Sequence, residues 1–297
     1  MSSDPFAPAE ALAPDAEDLA RVVGIALGED LRYGPDVTTE ATVPAGAVAV
    51  ADFTPRRPGV LAGVPAVRAV LDEVLGAGGY DVLEQRADGT RLCAGDPVLR
   101  VRGPVRGLLT AERTALNLLC HLSGVATATA ALVDAVAGTG TRILDTRKTL
   151  PGLRLLQKYA VRCGGGVNHR LGLGDAILIK DNHVAAAGSV TAALAAAVAA
   201  APWLRCEVEV DSLAQLDEAL AAGAELVLLD NFTPEQCAEA VRRRADAGAH
   251  ARFEVSGGLT LQVARAYAEA GVEFLSSGAL THSSVALDLG LDLVSVD

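Results

Sequence analysis

Glu209 and Asp230 stand at the polar ends of two successive short apolar runs, Val208 beside Glu209 and Leu226 to Leu229 before Asp230. Two carboxylates brought to one mouth are hard oxygen donors, and Mg²⁺ is commonly held by such groups together with substrate phosphates. Glu207, in step with Glu209 on one strand face, is the alternative ligand, and an ion network with Lys148 or Lys180 is the other use open to these acids. The cations are concentrated as well. Between Arg142 and Asp181 there are eight Lys or Arg against three Asp, a local charge of +5 that leaves −17 on the rest of a chain of net charge −12. Such an island attracts a small polyanion, with carboxylates and phosphates as natural ligands. Arg147, Lys148, Arg170 and Lys180 lie at or beside the ends of apolar runs, whereas Arg154, Lys158 and Arg162 fit a solvated helix face equally well.

Gly164-Gly165-Gly166 precedes Asn168-His169-Arg170 and reads as a hinge that delivers an imidazole and a guanidinium to the same island. Ser256-Gly257-Gly258 and Ser276-Ser277-Gly278 are turns where backbone N–H groups can approach a phosphate. His121 and His250 carry no functional signal, and His183 and His282 stay unassigned at this point.

The elements that position these residues follow from periodicity. Lys148, Lys180, Glu209, Asp230, Ser256 and Ser276 each end a short apolar run, at intervals of 32, 29, 21, 26 and 20 residues. These intervals suit a strand, a turn and a helix of about three turns. Ser212 with Gln215 and Thr233 with Gln236 form capping boxes, Pro234 takes the first helical position, and Gly223, Gly248 and Gly271 end helices. Successive right-handed βα units close into a parallel barrel or wind into an open sheet, with function at the strands' C-terminal ends. Upstream, a helix is expected over Leu19 to Leu27, strands over Val48 to Phe53 and Pro97 to Val101, and a helix over Ala66 to Leu75, an α+β domain. A further helix that Thr110 caps should run through Arg113 and Asn117, and residues 1–16 are expected to form a disordered tail.

The 297 residues are 51% hydrophobic and 21% charged, the balance of a globular chain with roughly two domains. The net negative charge argues against nucleic acid or an anionic membrane as partner. Thr114 to Val133 and Asn182 to Leu204 are uncharged and near spanning length, but their polar and small residues suit buried helices. Five scattered cysteines without a CxxC pair fit reduced core thiols, and the acidic N-terminus lacks the positive start of a secretory signal, so the expected location is cytoplasmic. Two other readings stay open on the residues alone. One is a Schiff-base aldolase using Lys148 or Lys180, and the other a non-catalytic sensor of phosphorylated metabolites, which would have no use for Glu209 and Asp230.

Ordered blocks along the chain carry a resemblance. They are Glu29-Asp30 leading to Gly34-Pro35-Asp36-Val37-Thr38, Glu112-Arg113-Thr114-Ala115-Leu116-Asn117, Asp145-Thr146-Arg147-Lys148-Thr149-Leu150-Pro151 and Gly165-Gly166-Val167-Asn168-His169-Arg170. Ile179-Lys180-Asp181-Asn182-His183, Glu207-Val208-Glu209-Val210, Leu229-Asp230-Asn231, Ser256-Gly257-Gly258 and Ser276-Ser277-Gly278-Ala279-Leu280 continue the series. With these the chain resembles the quinolinate phosphoribosyltransferases. The resemblance implies an N-terminal α/β sandwich over 17–115, joined by the C-terminal segment 281–297, and an open α/β (TIM-like) barrel over 116–280. It implies conversion of quinolinate and phosphoribosyl pyrophosphate to nicotinate mononucleotide, pyrophosphate and CO₂ with Mg²⁺, in NAD synthesis. It further implies a homodimer in which Arg113 is contributed across the interface. Carried over, Arg113, Thr146, Arg147, His169, Arg170 and Lys180 bind quinolinate. Lys148, Lys180, Ser256, Gly257, Gly278 and His282 bind phosphoribosyl pyrophosphate, and Lys148, Glu209 and Asp230 are catalytic, the last two also holding the metal. Pro35 and the acidic, Pro-rich extension depart from the family pattern.

Overall fold

The protein is described from a computed structural model that covers Phe6 and residues 13–297. Most of the tail expected at 1–16 therefore lies outside the described residues. Phe6 does not fit the expectation, because its side chain is buried, and the first helix already begins at Ala16.

The chain divides into two compact units. One comprises 9–130, 149–165 and 280–297. It contains α1 (Ala16–Leu31), α2 (Val37–Thr42), β1 (Val48–Pro55), β2 (Gly59–Val60), α3 (Val64–Leu75), β3 (Asp81–Gln85), β4 (Arg91–Leu92), β5 (Leu99–Pro104) and most of α4 (Val105–Ala135). The other holds β6 (Arg142–Leu144), and the chain then returns to the first for α5 (Arg154–Cys163). Next come β7 (Ile177–Ile179), α6 (Asp181–Ala187), α7 (Val190–Ala200), β8 (Cys206–Val210), α8 (Leu213–Ala221), β9 (Leu226–Asp230), α9 (Pro234–Asp246), β10 (Arg252–Ser256), α10 (Leu261–Glu269) and β11 (Phe274–Ser276). Then α11 (Ala279–His282) leads back to β12 (Leu289–Val296). The boundary expected at 115/116 falls inside α4, and 149–165 groups with the N-terminal unit, so the split is less simple than a single cut.

In the N-terminal unit an antiparallel sheet runs β12-β1-β5-β3. The C-terminal strand is thus paired with β1, from Ala49↔Val296 to Pro55↔Leu289. On β1, Asp52 is buried and accepts two 2.7 Å bonds from Arg100 of β5, a bidentate pair that fixes the strand register. Asp88 supplies what α3 lacks in its own N-cap glycine, accepting from the amides of Gly63 and Val64, and it also accepts from the Tyr159 hydroxyl at 2.6 Å. Thr110 does not cap α4. It sits a turn inside, with its hydroxyl donating to the Arg106 carbonyl, because β5 runs straight into the helix at Val105.

The other unit is the expected barrel. Its parallel sheet runs β6-β11-β10-β9-β8-β7, so β7 to β11 neighbour one another in chain order and the last strand pairs with the first. A parallel bridge between Leu144 and Val167 lies on the other side of β6, and among the described residues no ladder joins that segment to β7, so the barrel is open there. Val208, Val210, Val227, Leu229, Phe253, Val255 and Leu275 are all buried under the helices. The alternate positions, among them Glu207, Glu209, Leu228, Asp230, Glu254 and Ser256, share the inner face, as a period of two demands. Every expected strand of this half is present. Thr233 and Gln236 form the reciprocal capping box with Pro234 inside it. Ser212 caps α8, but Gln215 turns back to the amide of Asp211 rather than to that of Ser212.

Of the two uncharged stretches, the one in α4 is long and apolar enough to cross a membrane, and 61% of its most apolar window is buried inside the fold. The other is not one buried helix. It is α6 and α7 bent by 93°, with no buried residue in α6. Cys163 and Cys237 are buried thiols, whereas Cys93 is exposed, so not all five cysteines are core residues.

Candidate active site

A cavity of about 160 Å³ opens at the C-terminal ends of the barrel strands. After β6, Asp145 is fully buried and accepts from Asn168 Nδ2 at 2.5 Å and from the His169 amide at 2.9 Å. That carboxylate ties the segment after α5 onto the end of β6, so Thr146, Arg147 and Lys148 face His169 and Arg170 across one mouth. The Thr146 hydroxyl accepts from the Lys148 amide, which turns the backbone sharply at the strand end. Lys180 follows β7, Glu209 is the last residue but one of β8, and Asp230 and Ser256 end β9 and β10; all four line the same cavity.

The expected ion network is present in part. Lys180 Nζ pairs with Glu209 Oε2, while Asp230 accepts from Asn231 Nδ2 at 2.7 Å. Glu209 and Asp230 remain two hard donors on adjacent strands of one cavity, a set that suits Mg²⁺. Glu207 is not an alternative ligand there. It lies a layer deeper, 1% exposed, and accepts from His169 Nε2 at 2.9 Å.

The glycine run is not a free hinge. A Cβ at Gly164 would come within 2.4 Å of the Ala126 carbonyl, so this glycine is there for close packing against α4. The loop beyond Arg170 is also tied down. Asp175 accepts from the amides of Leu171 and Gly172; these bonds outweigh its burial and hold the carboxyl below its usual value. His169 is delivered to the cavity, but as a buried group with both ring nitrogens engaged, Nδ1 accepting from the Arg170 amide at 2.7 Å. Burial, reinforced by the like charge of Arg147, lowers the Arg170 guanidinium, the mark of cations held together.

Only half of the basic island belongs here. Arg147, Lys148, Arg170 and Lys180 line the cavity. Arg142 begins β6 at the opposite strand end and donates to the Phe6 carbonyl. Arg154, Lys158 and Arg162 are on α5 in the other unit, and they are not solvated charges: Lys158 is 1% exposed, Arg154 donates to Thr149 Oγ1 and Arg162 to the Ala13 carbonyl.

Gly257 and Gly278 are not among the lining residues. Gly257 has φ +96°, and a Cβ there would lie 2.1 Å from Asn231 Oδ1, so backbone geometry alone accounts for it. The Ser277 amide, beside Gly278, is already given to the Leu144 carbonyl. Arg113, exposed on α4, and His282, exposed with its Nδ1 2.6 Å from Ser283 Oγ, belong to the other unit. His183 caps α6 through Nδ1, which accepts from the Lys180 amide. His121 Nε2 meets Gln157 Nε2 at 2.9 Å, and burial lowers its imidazole. Sequence reasoning missed Glu254 as a lining residue, although it is two positions before Ser256 on the same strand face, whereas Ser276, expected at the end of its strand, lines the cavity.

Residues 36–123 match the quinolinate phosphoribosyl transferase N-terminal domain and residues 125–292 the C-terminal domain of the same family. The chain is 63% identical over 268 residues to the nicotinate-nucleotide pyrophosphorylase [carboxylating] of Mycobacterium leprae, covering 90% of this chain and 94% of that protein. The human protein of the same name is 39% identical over 278 residues, covering 93% and 91%. Among solved structures, NadC from Streptococcus pyogenes superimposes with a TM-score of 0.89 at 40% identity, covering 96% of this chain and 98% of that one.

Proposed function

Because the chain belongs to the quinolinate phosphoribosyltransferase family, we propose that the cationic cavity floored by carboxylates is where quinolinate and phosphoribosyl pyrophosphate meet. The protein is a phosphoribosyltransferase that converts these substrates to nicotinate mononucleotide, pyrophosphate and CO₂ in NAD synthesis. The observation that carries the site assignment is the convergence of Arg147, Lys148, His169, Arg170 and Lys180 with Glu209 and Asp230 on one mouth.

Both substrates are anions, so catalysis needs a preorganised set of donors. Thr146, Arg147 and Arg170 hold the two ring carboxylates, with Arg113 added from a second subunit of a homodimer, while His169, both ring nitrogens already engaged, fixes the wall that carries Arg170. Arg113 is suited to that role by its exposure on α4. Lys148 and Lys180 take the phosphates of phosphoribosyl pyrophosphate. Ser256 reaches the 5′-phosphate from the cavity wall. The pyridine nitrogen attacks the ribose carbon as the bond to pyrophosphate breaks. Glu209 and Asp230, both in the cavity lining, are the carboxylates that would stabilise the positive charge growing on the ribose. The carboxyl beside the quaternary nitrogen then leaves as CO₂, its bonding pair passing to the ring and being quenched by a proton. Glu209 and Asp230 would hold Mg²⁺, which when bound offsets the charge of the departing pyrophosphate.

An ammonium paired with a carboxylate, as Lys180 is with Glu209, is not the desolvated amine that a Schiff base requires. The free thiols suit a reducing, cytoplasmic setting. The test is incubation with phosphoribosyl pyrophosphate, Mg²⁺ and either quinolinate or nicotinate, following mononucleotide and CO₂. Product from quinolinate alone, lost in the Lys148→Ala variant and on chelation of the metal, is expected. Near-normal turnover by folded Lys148→Ala overturns the site assignment.

A further inference from the structure

Beneath the cavity three polar side chains are closed into the barrel interior. Glu207 on β8 and Glu254 on β10 are each 1% exposed, and His169 is 6% exposed. His169 Nε2 is 2.9 Å from Glu207 Oε2 and 3.4 Å from Glu254 Oε2. The two strands flank β9, whose Leu228 is in register with Glu254 on one side and with Glu209, two residues beyond Glu207, on the other. Phe6 covers the cluster from below, its ring 5.7 Å from the imidazole and stacked under Arg205 at 4.2 Å.

We propose that Glu207 and Glu254 are positioning residues for the acid substrate, which fix the His169 ring and through it the Arg170 backbone at the cavity wall. The inference rests on the reading above, that Arg170, on the wall His169 fixes, holds a quinolinate carboxylate. The coupling is a chain of contacts. The glutamates take Nε2, the ring is thereby turned so that Nδ1 accepts the Arg170 amide at 2.7 Å, and the Arg170 guanidinium donates to the Ala176 carbonyl. Glu254 also reaches the cavity itself, so the buried cluster and the substrate site share a wall.

Stability gives no reason for the cluster to exist. A buried ionic group set in an apolar layer is commonly replaced by hydrophobic residues at no loss, or with a gain. The layer below is already apolar, built from Phe6, Leu144, Val167, Leu226 and Phe274. Two carboxylates at this depth therefore have a use that leucine would not serve. They orient a ring that must stay fixed while cations crowd the site above it.

The test is the full chain carrying Glu207→Leu/Glu254→Leu, compared with Glu207→Gln/Glu254→Gln, which keeps oxygen acceptors for Nε2. Quinolinate and phosphoribosyl pyrophosphate affinities are measured separately by calorimetry, with unfolding midpoints alongside and His169→Ala as reference. Quinolinate binding is expected to weaken by roughly tenfold or more in the Leu variant, as one lost charged hydrogen bond allows, and to recover most of that in the Gln variant. Phosphoribosyl pyrophosphate binding should stay within about twofold, a smaller change than the loss of a single hydrogen bond, and the unfolding midpoint should be unchanged or raised. Wild-type quinolinate affinity in the folded Leu variant, or equal loss for both substrates, overturns the inference while His169→Ala remains impaired. Wild-type affinity in His169→Ala overturns the site reading and the inference with it. If the Leu variant does not fold, equal loss for both substrates in the folded single variants Glu207→Leu and Glu254→Leu is the overturning result.

Discussion

Replacing Gly257 by Ala perturbs the mouth without touching any charged group. The glycine has φ +96°, and a Cβ built on it would lie 2.1 Å from Asn231 Oδ1 and 3.2 Å from the Asn231 amide nitrogen. Two costs follow. An L-residue in that left-handed region loses about 1–2 kcal/mol. The overlap forces Asn231 aside, and crowding of this kind costs about 1–3 kcal/mol. Asn231 is itself at φ +57° and donates to Asp230 Oδ2 at 2.7 Å, so its displacement frees the Asp230 carboxylate. We expect a destabilisation of about 2–5 kcal/mol from these two terms, and a fall in kcat of roughly 10- to 100-fold from a misplaced carboxylate. The assay is urea unfolding followed by circular dichroism, read at unchanged slope, with steady-state kinetics in parallel. Gly257→Ala/Asn231→Gly isolates the overlap, since glycine accepts the positive φ at 231 and removes the atom that is struck. The double variant should recover the overlap cost of about 1–3 kcal/mol relative to additivity. Strict additivity of the two changes would refute the claim that the glycine is needed because of Asn231.

Three further outcomes follow from the geometry. Phe6→Ala empties the space among Leu144, Val167, Leu226 and Phe274, and should cost about 3 kcal/mol in urea unfolding, with Phe6→Leu intermediate; an unchanged midpoint would mean that Phe6 is not seated there in solution. Burial opposes charging of His169, but Glu254 and Glu207 outweigh it and raise the ring from its ordinary 6.5 to about 9; charging puts a proton on Nδ1, so the bond that Nδ1 accepts from the Arg170 amide belongs to the neutral ring and is given up below that pH. A raised cationic group stabilises fully below pH 6.5, and that share is lost as pH climbs through 9; stability should fall by on the order of 2 kcal/mol between pH 6.5 and 8.5. In His169→Gln the profile should change shape, because Glu207, pushed up to about 7 by burial and Glu254, loses the imidazole that lowers it and rises further; a slope equal to that of the wild type would dismiss the assignment. Finally, mixing inactive Arg113→Ala and Lys148→Ala subunits should restore part of the activity in hybrid dimers, and none despite verified hybrids would exclude a site shared between subunits.

The strand ends were legible because a barrel strand covered on both faces reads as a short apolar run that stops where its last inward residue meets the mouth. Lys180, Glu209, Asp230 and Ser256 were found in this way, and all four line the cavity. Inward residues one layer deeper leave no such trace. Glu254 sits between Phe253 and Val255, and its partner His169 is 85 positions away, so only the fold shows that the two acids and the ring form one cluster. Local charge misled for a related reason. Arg154, Lys158 and Arg162 are close in sequence to Arg147 and Lys148, yet the chain leaves the barrel unit after Lys148 to form α5 and comes back at Gly166. Net charge counted along a segment assumes that the segment stays in one place. The glycine turns erred in the opposite direction, since Gly257 is demanded by a side chain 26 residues earlier, whatever a phosphate requires. A glycine near a strand end therefore points to a ligand only after its φ and its nearest neighbour have been accounted for, and at Gly257 those two account for it in full.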